Sequence, residues 1–232
     1  HLLSNDLITH TQHGFMPGRS CTTNLLEYLN QVTKALDDGF SYVVMLDYQR
    51  AFDLVPFRQM LAKVSCHGIG GDILKWIENW THGRQQRCVL NGEHSAWLDV
   101  TSSVVQGSVL GPILFLIYIN DLDLVIDPTH GVLISKFADD SKLGKRITSI
   151  QDCQSLQGAL NDLARWSTLN GMRLHPAKCV VLHFGVNNPK HTYHINDLKI
   201  FASEEVRDLG VLITNNTSQT AHVENVARKA HA

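Results

Sequence analysis

The sequence predicts an α+β fold built on a largely antiparallel sheet. Two observations lead to this prediction: helical and strand-like segments are mixed along the chain, and several strand-like segments are neighbours joined by tight turns. Neighbouring hairpins favour antiparallel pairing, because a parallel pair needs a long crossover between its strands. A doubly wound parallel fold is therefore the less favoured alternative.

Composition and charge narrow the class of protein. The chain has 232 residues, 44% of them hydrophobic, enough for one large domain or for a domain with an appendage. A net charge of -2 argues against a protein that coats nucleic acid by overall charge, although it allows a local basic track. Five cysteines without a CxxC pair are expected to be free or buried thiols. The longest apolar run, 113–119, is too short to cross a bilayer, and His1 starts no signal-peptide pattern, so we expect an intracellular protein without a membrane partner.

The helices are predicted from apolar residues that recur every three or four positions. The first covers residues 22–38, with Ser20, Thr22 and Thr23 as candidate N-caps. On a helix at 72–80, an apolar face that includes Trp76 and Trp80 is expected to be core rather than a platform for stacking bases. The other predicted helices run from Pro56 to about Cys66, from Pro112 through Asp121, over 149–169, and from Thr217 onward.

The strands are predicted from short apolar or alternating runs. Residues 41–46 form a continuous apolar run that predicts a strand buried on both faces, directly followed by Asp47. Residues 84–90 and 95–101 predict a hairpin with a tight turn at Asn91 and Gly92. We place Arg84 and Arg87 on one face of its first strand. Further strands are predicted at 178–184, 193–201 and 207–213.

The segment 133–143 is an apolar run interrupted by Asp139 and Asp140. Adjacent carboxylates raise each other's pKa unless a cation neutralises them, and Mg²⁺ prefers oxygen ligands. For an isolated pair, a solvated turn is the simpler interpretation. Asp47 also has two interpretations: it could cap the segment after its strand, or it could supply a third carboxylate. If the three meet at one sheet edge, they could hold two Mg²⁺ ions for phosphoryl transfer.

Four motifs follow one another at characteristic spacing. They are HGFMPGRS at 13–20, LDYQRAFD at 46–53, QGSVLGP at 106–112 and FADD at 137–140. Their order and approximate spacing, over nearly the whole chain, resemble the reverse transcriptase of non-LTR (LINE-type) retrotransposons.

This resemblance implies roles for the carboxylates and for the residues after Asp47. Asp47 and Asp139 would bind both metals, with Asp140 as a less direct third carboxylate. The backbone carbonyl of Tyr48 would also face a metal. Phe52 stands where the family places an aromatic gate that clashes with a ribose 2′-OH, which implies a deoxynucleotide substrate. The implied cofactor is Mg²⁺, with Mn²⁺ as a possible substitute.

The remaining motifs imply contacts with the nucleotide and with the template and primer. Gln106 and Gly107 match the loop that lies against the incoming nucleotide. Lys178 matches the lysine proposed to protonate the pyrophosphate leaving group, and the alternative is an ordinary surface lysine. Residues 207–211 resemble the primer-grip hairpin. The candidate template and primer contacts are Arg19, Arg84, Arg87, Leu209 and Gly210.

The resemblance also implies a domain organisation and a function. Residues 1–40 would form partial fingers with the first helix, 41–214 the palm with embedded finger helices, and 215–232 the start of a thumb. The implied activity is RNA-directed DNA polymerisation, with an RNA template, a DNA primer and dNTPs as partners. Cytoplasm and nucleus are the implied locations. The alternative is an inactive or domesticated relic that keeps the fold and at most binds nucleic acid.

Overall fold

The structure of this chain, a computed structural model, describes residues 1–38, 45–46, 48 and 51–231. In these ranges the α-helices are α1 (Cys21–Asp37), α2 (Phe57–Cys66), α3 (Gly71–Thr81), α4 (Leu110–Ile119), α5 (Ile150–Leu169) and α6 (Thr220–Ala230). The strands are β1 (Met45–Leu46), β2 (Gln85–Gln86), β3 (Val89–Leu90), β4 (Glu93–His94), β5 (Leu98–Asp99), β6 (Leu133–Phe137), β7 (Asp140–Gly144), β8 (Val180–Leu182), β9 (His194–Ile195), β10 (Leu198–Lys199), β11 (Phe201–Ser203), β12 (Glu205–Asp208) and β13 (Val211–Thr214).

A five-stranded sheet with the order β11-β8-β1-β7-β6 organises the molecule. All neighbouring pairs are antiparallel except β11 with β8, which is parallel. Strand β1 therefore lies between β7 and β8, and its Leu46 pairs with Ser141 of β7. The prediction of an α+β fold with a largely antiparallel sheet is confirmed. The predicted strand at 41–46 is described only at Met45 and Leu46, and its other residues lie outside the described part of the chain.

The larger hydrophobic core is formed by α2, α4 and α5 with the central sheet. Helix α4 is apolar all round because it is buried on almost every side, from Leu114 to Ile119. Helix α5 has the predicted boundaries, with Ser149 as its N-cap. Its predicted face is buried, as expected from the spacing of Cys153, Leu156, Leu160, Leu163 and Trp166.

A second, smaller core lies under α1. Leu25, Tyr28 and Val32 of α1 pack with Leu182 and Ile213 from β8 and β13. Helix α1 begins after Ser20, whose side chain accepts from the Thr23 N–H in a capping box. The helix predicted at 22–38, with Ser20 among its candidate N-caps, is therefore confirmed to within a residue at each end.

Two of the predicted single strands are hairpins. The predicted strand at 193–201 contains β9, a turn at Asn196 and Asp197 with φ of 47° and 65°, and β10, while Phe201 starts the separate strand β11. Residues 207–213 likewise turn at Leu209 and Gly210, with φ of 45° and 89°. Asn, Asp and Gly tolerate positive φ, which explains the turn at 196–197 and the glycine at 210. The turn at 209–210 agrees with the hairpin that the family resemblance implies at 207–211.

The predicted burial of the aromatic face of α3 is wrong. Trp76 is 54% exposed and Ile73 is 64% exposed, whereas Ile77 is buried at 3% exposure. Helix α3 packs against α2, and only a narrow strip of its surface is covered. The rings of Trp76 and Trp80 instead stack on each other, with their centroids 5.7 Å apart.

The predicted hairpin between α3 and the 106–112 loop is confirmed as an exposed ribbon. Strand β2 pairs with β5 and β3 with β4, around Asn91 and Gly92 in the positive-φ conformation of a tight turn. The placement of Arg84 and Arg87 on one strand face is wrong, because side chains three residues apart on an extended chain point to opposite sides. The guanidinium of Arg84 lies over Trp80 and that of Arg87 over Trp97.

The N-terminal cap of α5 gives a pH-dependent prediction. Partial burial alone would raise the pKa of Asp152, but hydrogen bonds from Thr148 and Ser149 and the charge of Lys145 lower it to about 2. The carboxyl of an unfolded Asp has a pKa of about 3.9. The cap therefore stabilises the chain fully above that pH, and this contribution is lost as the pH falls toward the folded pKa. Asp152→Ala should lower the free energy of unfolding by about 1 kcal/mol at pH 7. Urea unfolding should show a smaller difference near pH 3, and a pH-independent difference would contradict this assignment.

Candidate active site

The aspartate pair lies at the tip of a hairpin that belongs to the central sheet. Phe137 of β6 pairs with Asp140 of β7, so Ala138 and Asp139 form a two-residue turn. Ala138 has a φ of 55°, an uncommon conformation for a residue with a Cβ. Asp139 is half-buried and Asp140 is exposed. We call β6, this turn and β7 the Asp139 hairpin.

A segment from the N-terminal loop holds this turn. The side-chain oxygen of Gln12 accepts from the Ala138 N–H and from the Gly14 N–H, each at 2.8 Å. The His13 N–H donates to the Lys136 carbonyl at 2.8 Å, and the Lys136 N–H donates to the Thr11 carbonyl at 2.9 Å. Gln12 is buried at 1% exposure. Residues 12–14, here called the Gln12 clamp, therefore fix the backbone that presents Asp139.

Gly14 is needed where the clamp meets the turn. A Cβ built on Gly14 would lie 2.4 Å from the backbone nitrogen of Ala138. This distance leaves no space for a larger residue unless the backbone moves. The sequence motif at 13–20 contains this glycine, but its contact with the aspartate turn was not predicted. Gln12 was missed altogether, because a single glutamine in a loop gives no sequence signal.

Asp47 lies outside the described residues. Its neighbours in sequence are placed: Leu46 pairs with Ser141, the residue after Asp140, and Tyr48 forms an isolated bridge with Leu174. Burial is the main cause that raises the pKa of the Tyr48 hydroxyl, and the negative charge of Asp139 is a smaller contribution in the same direction.

Phe52 is held between two other aromatic rings. Its ring stacks on Phe115 of α4, with centroids 4.2 Å apart, and Phe15 approaches at 6.3 Å in an edge-on arrangement. Phe52 is half-buried. Stacking on a buried helix residue restricts the rotamers of the ring, so Phe52 has a defined position at the surface of the larger core.

The loop at Gln106 and Gly107 lies beside Phe52. The Gln106 amide donates to the Asp53 carboxylate at 2.6 Å, and the Val104 N–H donates to the Phe52 carbonyl at 2.8 Å. Gly107 is exposed and has a φ of 78°, a conformation that glycine adopts without strain. The structure therefore brings together two motifs that are separated by about fifty residues in sequence.

The other candidate residues lie on separate parts of the surface. Lys178 is exposed in the turn that precedes β8. The Arg19 guanidinium donates to the Gln12 carbonyl at 2.9 Å and to the His10 carbonyl, so it also stabilises the N-terminal loop. Arg84 and Arg87 flank β2 in the exposed ribbon. Leu209 and Gly210 form the turn between β12 and β13.

The described residues show what the site can offer a metal ion. Asp139 and Asp140 are adjacent oxygen donors, the ligand type that suits Mg²⁺ or Mn²⁺. Within the described ranges, which omit Asp47, no group of three or more His, Cys, Asp or Glu side chains is placed to hold a metal.

The described part of the chain includes no helix with the length and hydropathy needed to cross a membrane.

The chain thus has a largely antiparallel sheet backed by helices, with paired aspartates at the tip of one hairpin, an arrangement that fits a polymerase-type α+β domain. Residues 1–213 match the family model described as "Reverse transcriptase (RNA-dependent DNA polymerase)". The chain belongs to this family.

Curated relatives and solved structures agree with this assignment. The chain is 25% identical over 222 residues to the RNA-directed DNA polymerase from mobile element jockey of Drosophila funebris, covering 93% of this chain and 24% of the relative. It is 25% identical over 195 residues to the probable RNA-directed DNA polymerase from transposon BS of Drosophila melanogaster, covering 76% and 21%. The chain thus spans about a quarter of the length of the curated relatives it matches. The predicted resemblance to non-LTR retrotransposon reverse transcriptases is confirmed.

The fold is similar to that of telomerase. The structure of apo telomerase from Candida tropicalis, truncated from the C-terminal domain, aligns with a TM-score of 0.63 at 11% identity, covering 93% of this chain and 41% of that one. A second structure from the same organism, telomerase with a fragment of telomeric RNA, aligns with a TM-score of 0.59 at 10% identity, covering 86% and 33%. At this identity the similarity concerns the fold.

Proposed function

We propose that this chain carries the catalytic centre of an RNA-directed DNA polymerase that extends a DNA primer on an RNA template. The observation that carries the proposal is the tip of the Asp139 hairpin. There, two adjacent carboxylates lie at the end of β7, the direct neighbour of β1 in the central sheet. In the sequence, Asp47 directly follows β1. Such a concentration of negative charge suits divalent cations and the phosphates that accompany them.

In this proposal Asp139 and Asp47 would bind both Mg²⁺ ions, with Asp140 as a less direct third carboxylate and the Tyr48 carbonyl also facing a metal. The metal pair, when bound, supplies charge stabilisation for the attacking primer oxygen and the leaving pyrophosphate. The protein supplies geometry, since the Gln12 clamp holds the turn that carries Asp139. Lys178 is proposed as the proton donor to the leaving group.

The nucleotide would lie against the surface formed by Phe52 and the Gln106 loop. Both are linked by the Val104 hydrogen bond to Phe52 and by the contact between Gln106 and Asp53. Gly107, which carries no side chain, lets a base or sugar approach the backbone closely. The template and primer contacts would come from Arg19, Arg84 and Arg87 together with the turn at 209–210. The proposed domain division is that of the family resemblance, with partial fingers at 1–40, the palm at 41–214 and the start of a thumb at 215–232.

Phe52 gives a specific prediction about sugar selection. Phe52→Val should increase the incorporation of ribonucleotides relative to deoxynucleotides by about 10- to 100-fold, because the smaller side chain removes a steric clash with the 2′-OH. The measurement is the ratio of kcat/KM for rUTP and dTTP on one primer and template. Phe15→Val is the matched control, since Phe15 touches Phe52 only at its edge. An unchanged ratio in the Phe52 variant would refute the gate.

Primer extension tests the proposed function directly. The chain is incubated with a DNA primer annealed to an RNA template, dNTPs and either Mg²⁺, Mn²⁺ or a chelator. Metal-dependent, template-directed extension is the expected result. Binding of the annealed primer without extension under all metal conditions would instead support the relic interpretation, in which the fold persists without catalysis.

A further inference from the structure

A buried ion pair connects the Asp139 hairpin to the β12–β13 hairpin. Lys142 Nζ lies 2.5 Å from Asp208 Oδ2 and donates to Asn24 Oδ1 at 2.5 Å. The side chains of Lys142 and Asp208 are only 2% and 5% exposed. Because the three residues belong to β7, β12 and α1, one ammonium group joins three elements that are far apart in sequence.

The two charged residues occupy special places in their hairpins. Lys142 is two residues after Asp140, and Asp208 directly precedes the turn at Leu209 and Gly210. In the described part of the chain, β12 and β13 form a separate two-stranded sheet that shares no ladder with the central sheet. The position of this hairpin relative to the aspartate turn therefore depends on side-chain contacts and on the short connection from β11 to β12.

Apolar contacts alone fix this position poorly. The β12–β13 hairpin packs on α1 through aliphatic side chains such as Ile213 and Val206, which tolerate small shifts. A buried ion pair does not tolerate them, because a shift that separates Lys142 from Asp208 leaves two unpaired charges in an environment without water. Compared with a well-packed apolar pair, a buried ion pair adds little stability, but its separation penalises every other arrangement of the two hairpins.

We propose that Lys142, Asp208 and Asn24 are positioning residues that hold the turn at 209–210 in register with Asp139, so that a primer 3′ end lying on that turn meets the catalytic carboxylates. This inference rests on the proposed polymerase function. It adds a role for residues that contact neither the metal ions nor the nucleic acid.

Cross-linking of the primer end tests the proposal without requiring turnover. A DNA primer with 4-thiothymidine at its 3′ terminus is annealed to an RNA template, irradiated with the full chain, and the cross-linked peptides are identified. The wild-type chain should cross-link within residues 205–214. The double variant Lys142→Met with Asp208→Leu should fold, since similar apolar replacements of buried ion pairs are neutral or stabilising. Its cross-link should move away from 205–214, and its kcat for extension should fall about 10- to 100-fold with little change in the KM for dNTP.

The pair Lys136 and Asp123 provides a matched control. Lys136 Nζ lies 2.6 Å from Asp123 Oδ1, its side chain is fully buried, and it belongs to the same hairpin, yet Asp123 lies outside β12 and β13. Lys136→Met with Asp123→Leu should keep the cross-link at 205–214. The conservative variant Asp208→Glu should retain part of the wild-type cross-link.

Each result is decisive for one of the two proposals. A double variant at 142 and 208 that keeps both the wild-type cross-link and the wild-type kcat would show that the ion pair only stabilises the fold. A wild-type chain that cross-links elsewhere would also overturn the positioning role. A wild-type chain that cross-links at 205–214 but does not extend the primer would refute the catalytic proposal, and the double variant would then show whether the ion pair still sets where the primer end lies. If the double variant does not unfold cooperatively, Asp208→Asn takes its place, with its thermal midpoint measured alongside.

Discussion

Replacement of Asp139 by alanine is expected to reduce primer extension by about 10³-fold or more, because a metal ligand that stabilises the transition state contributes several kcal/mol. The rate is measured at saturating Mg²⁺ and dNTP for both proteins. The thermal midpoint of each protein is measured alongside, so that a loss of folding is distinguished from the loss of a metal ligand.

Asp72→Ala is the control for this prediction. The Asp72 side chain is fully exposed at the start of α3 and lies 3.6 Å from Lys75. Its removal should leave extension within about twofold of the wild type, because exposed ion pairs contribute little. Equal extension by the Asp139→Ala variant and the wild type would exclude Asp139 as a metal ligand.

Gly14→Ala is expected to lower the free energy of unfolding by about 2–4 kcal/mol, because the new methyl group would meet backbone atoms that cannot move independently. The nearest of these atoms is the Ala138 nitrogen, at 2.4 Å from the built Cβ. Displacement of Ala138 would break its hydrogen bond to Gln12 and shift the adjacent Asp139. We therefore expect extension to fall at least about 100-fold even below the melting temperature, since small misplacements of catalytic groups are costly.

Gly70→Ala separates this local effect from a general cost of replacing glycine. A Cβ at Gly70 would meet nothing within 4 Å. This variant should lose at most about 1 kcal/mol, the usual range for a change at a helix N-cap. Chemical denaturation gives the stabilities, and primer extension at a temperature where all variants are folded gives the activities. A Gly14→Ala variant as stable and active as Gly70→Ala would show that the turn can move without consequence.

The features of the candidate site that depend on residues close together in sequence were predictable. The paired aspartates that interrupt the apolar run at 133–143 predicted a turn, and β6, the turn and β7 have that form. Ser149 followed by a periodic apolar face predicted the start and the buried side of α5. The motifs also placed Phe52 and Gln106 near a common surface, and their link through Asp53 agrees with that placement.

Other features could not be inferred from local pattern. The face of α3 had the periodicity of a core helix, yet Trp76 is exposed because periodicity states which residues share a face and not whether another element covers it. The apolar pattern alone places Leu209 and Gly210 in a strand, since a two-residue turn hardly changes the pattern on either side, and only the family resemblance implies the hairpin there. Lys142 is a polar residue in a strand, and nothing near it in sequence indicates that it is buried against Asp208.

The sequence by itself determined the family, the α+β class, the boundaries of most helices and the identity of the aspartate pair, because these depend on residue order and on contacts within a few residues. Only the tertiary structure decided how the aspartate turn is held. Gln12 binds Ala138 and Lys142 binds Asp208 across separations of 126 and 66 residues. Such contacts form when the chain folds, since burial makes an unpaired amide or charge costly and so selects the arrangement in which each finds its partner.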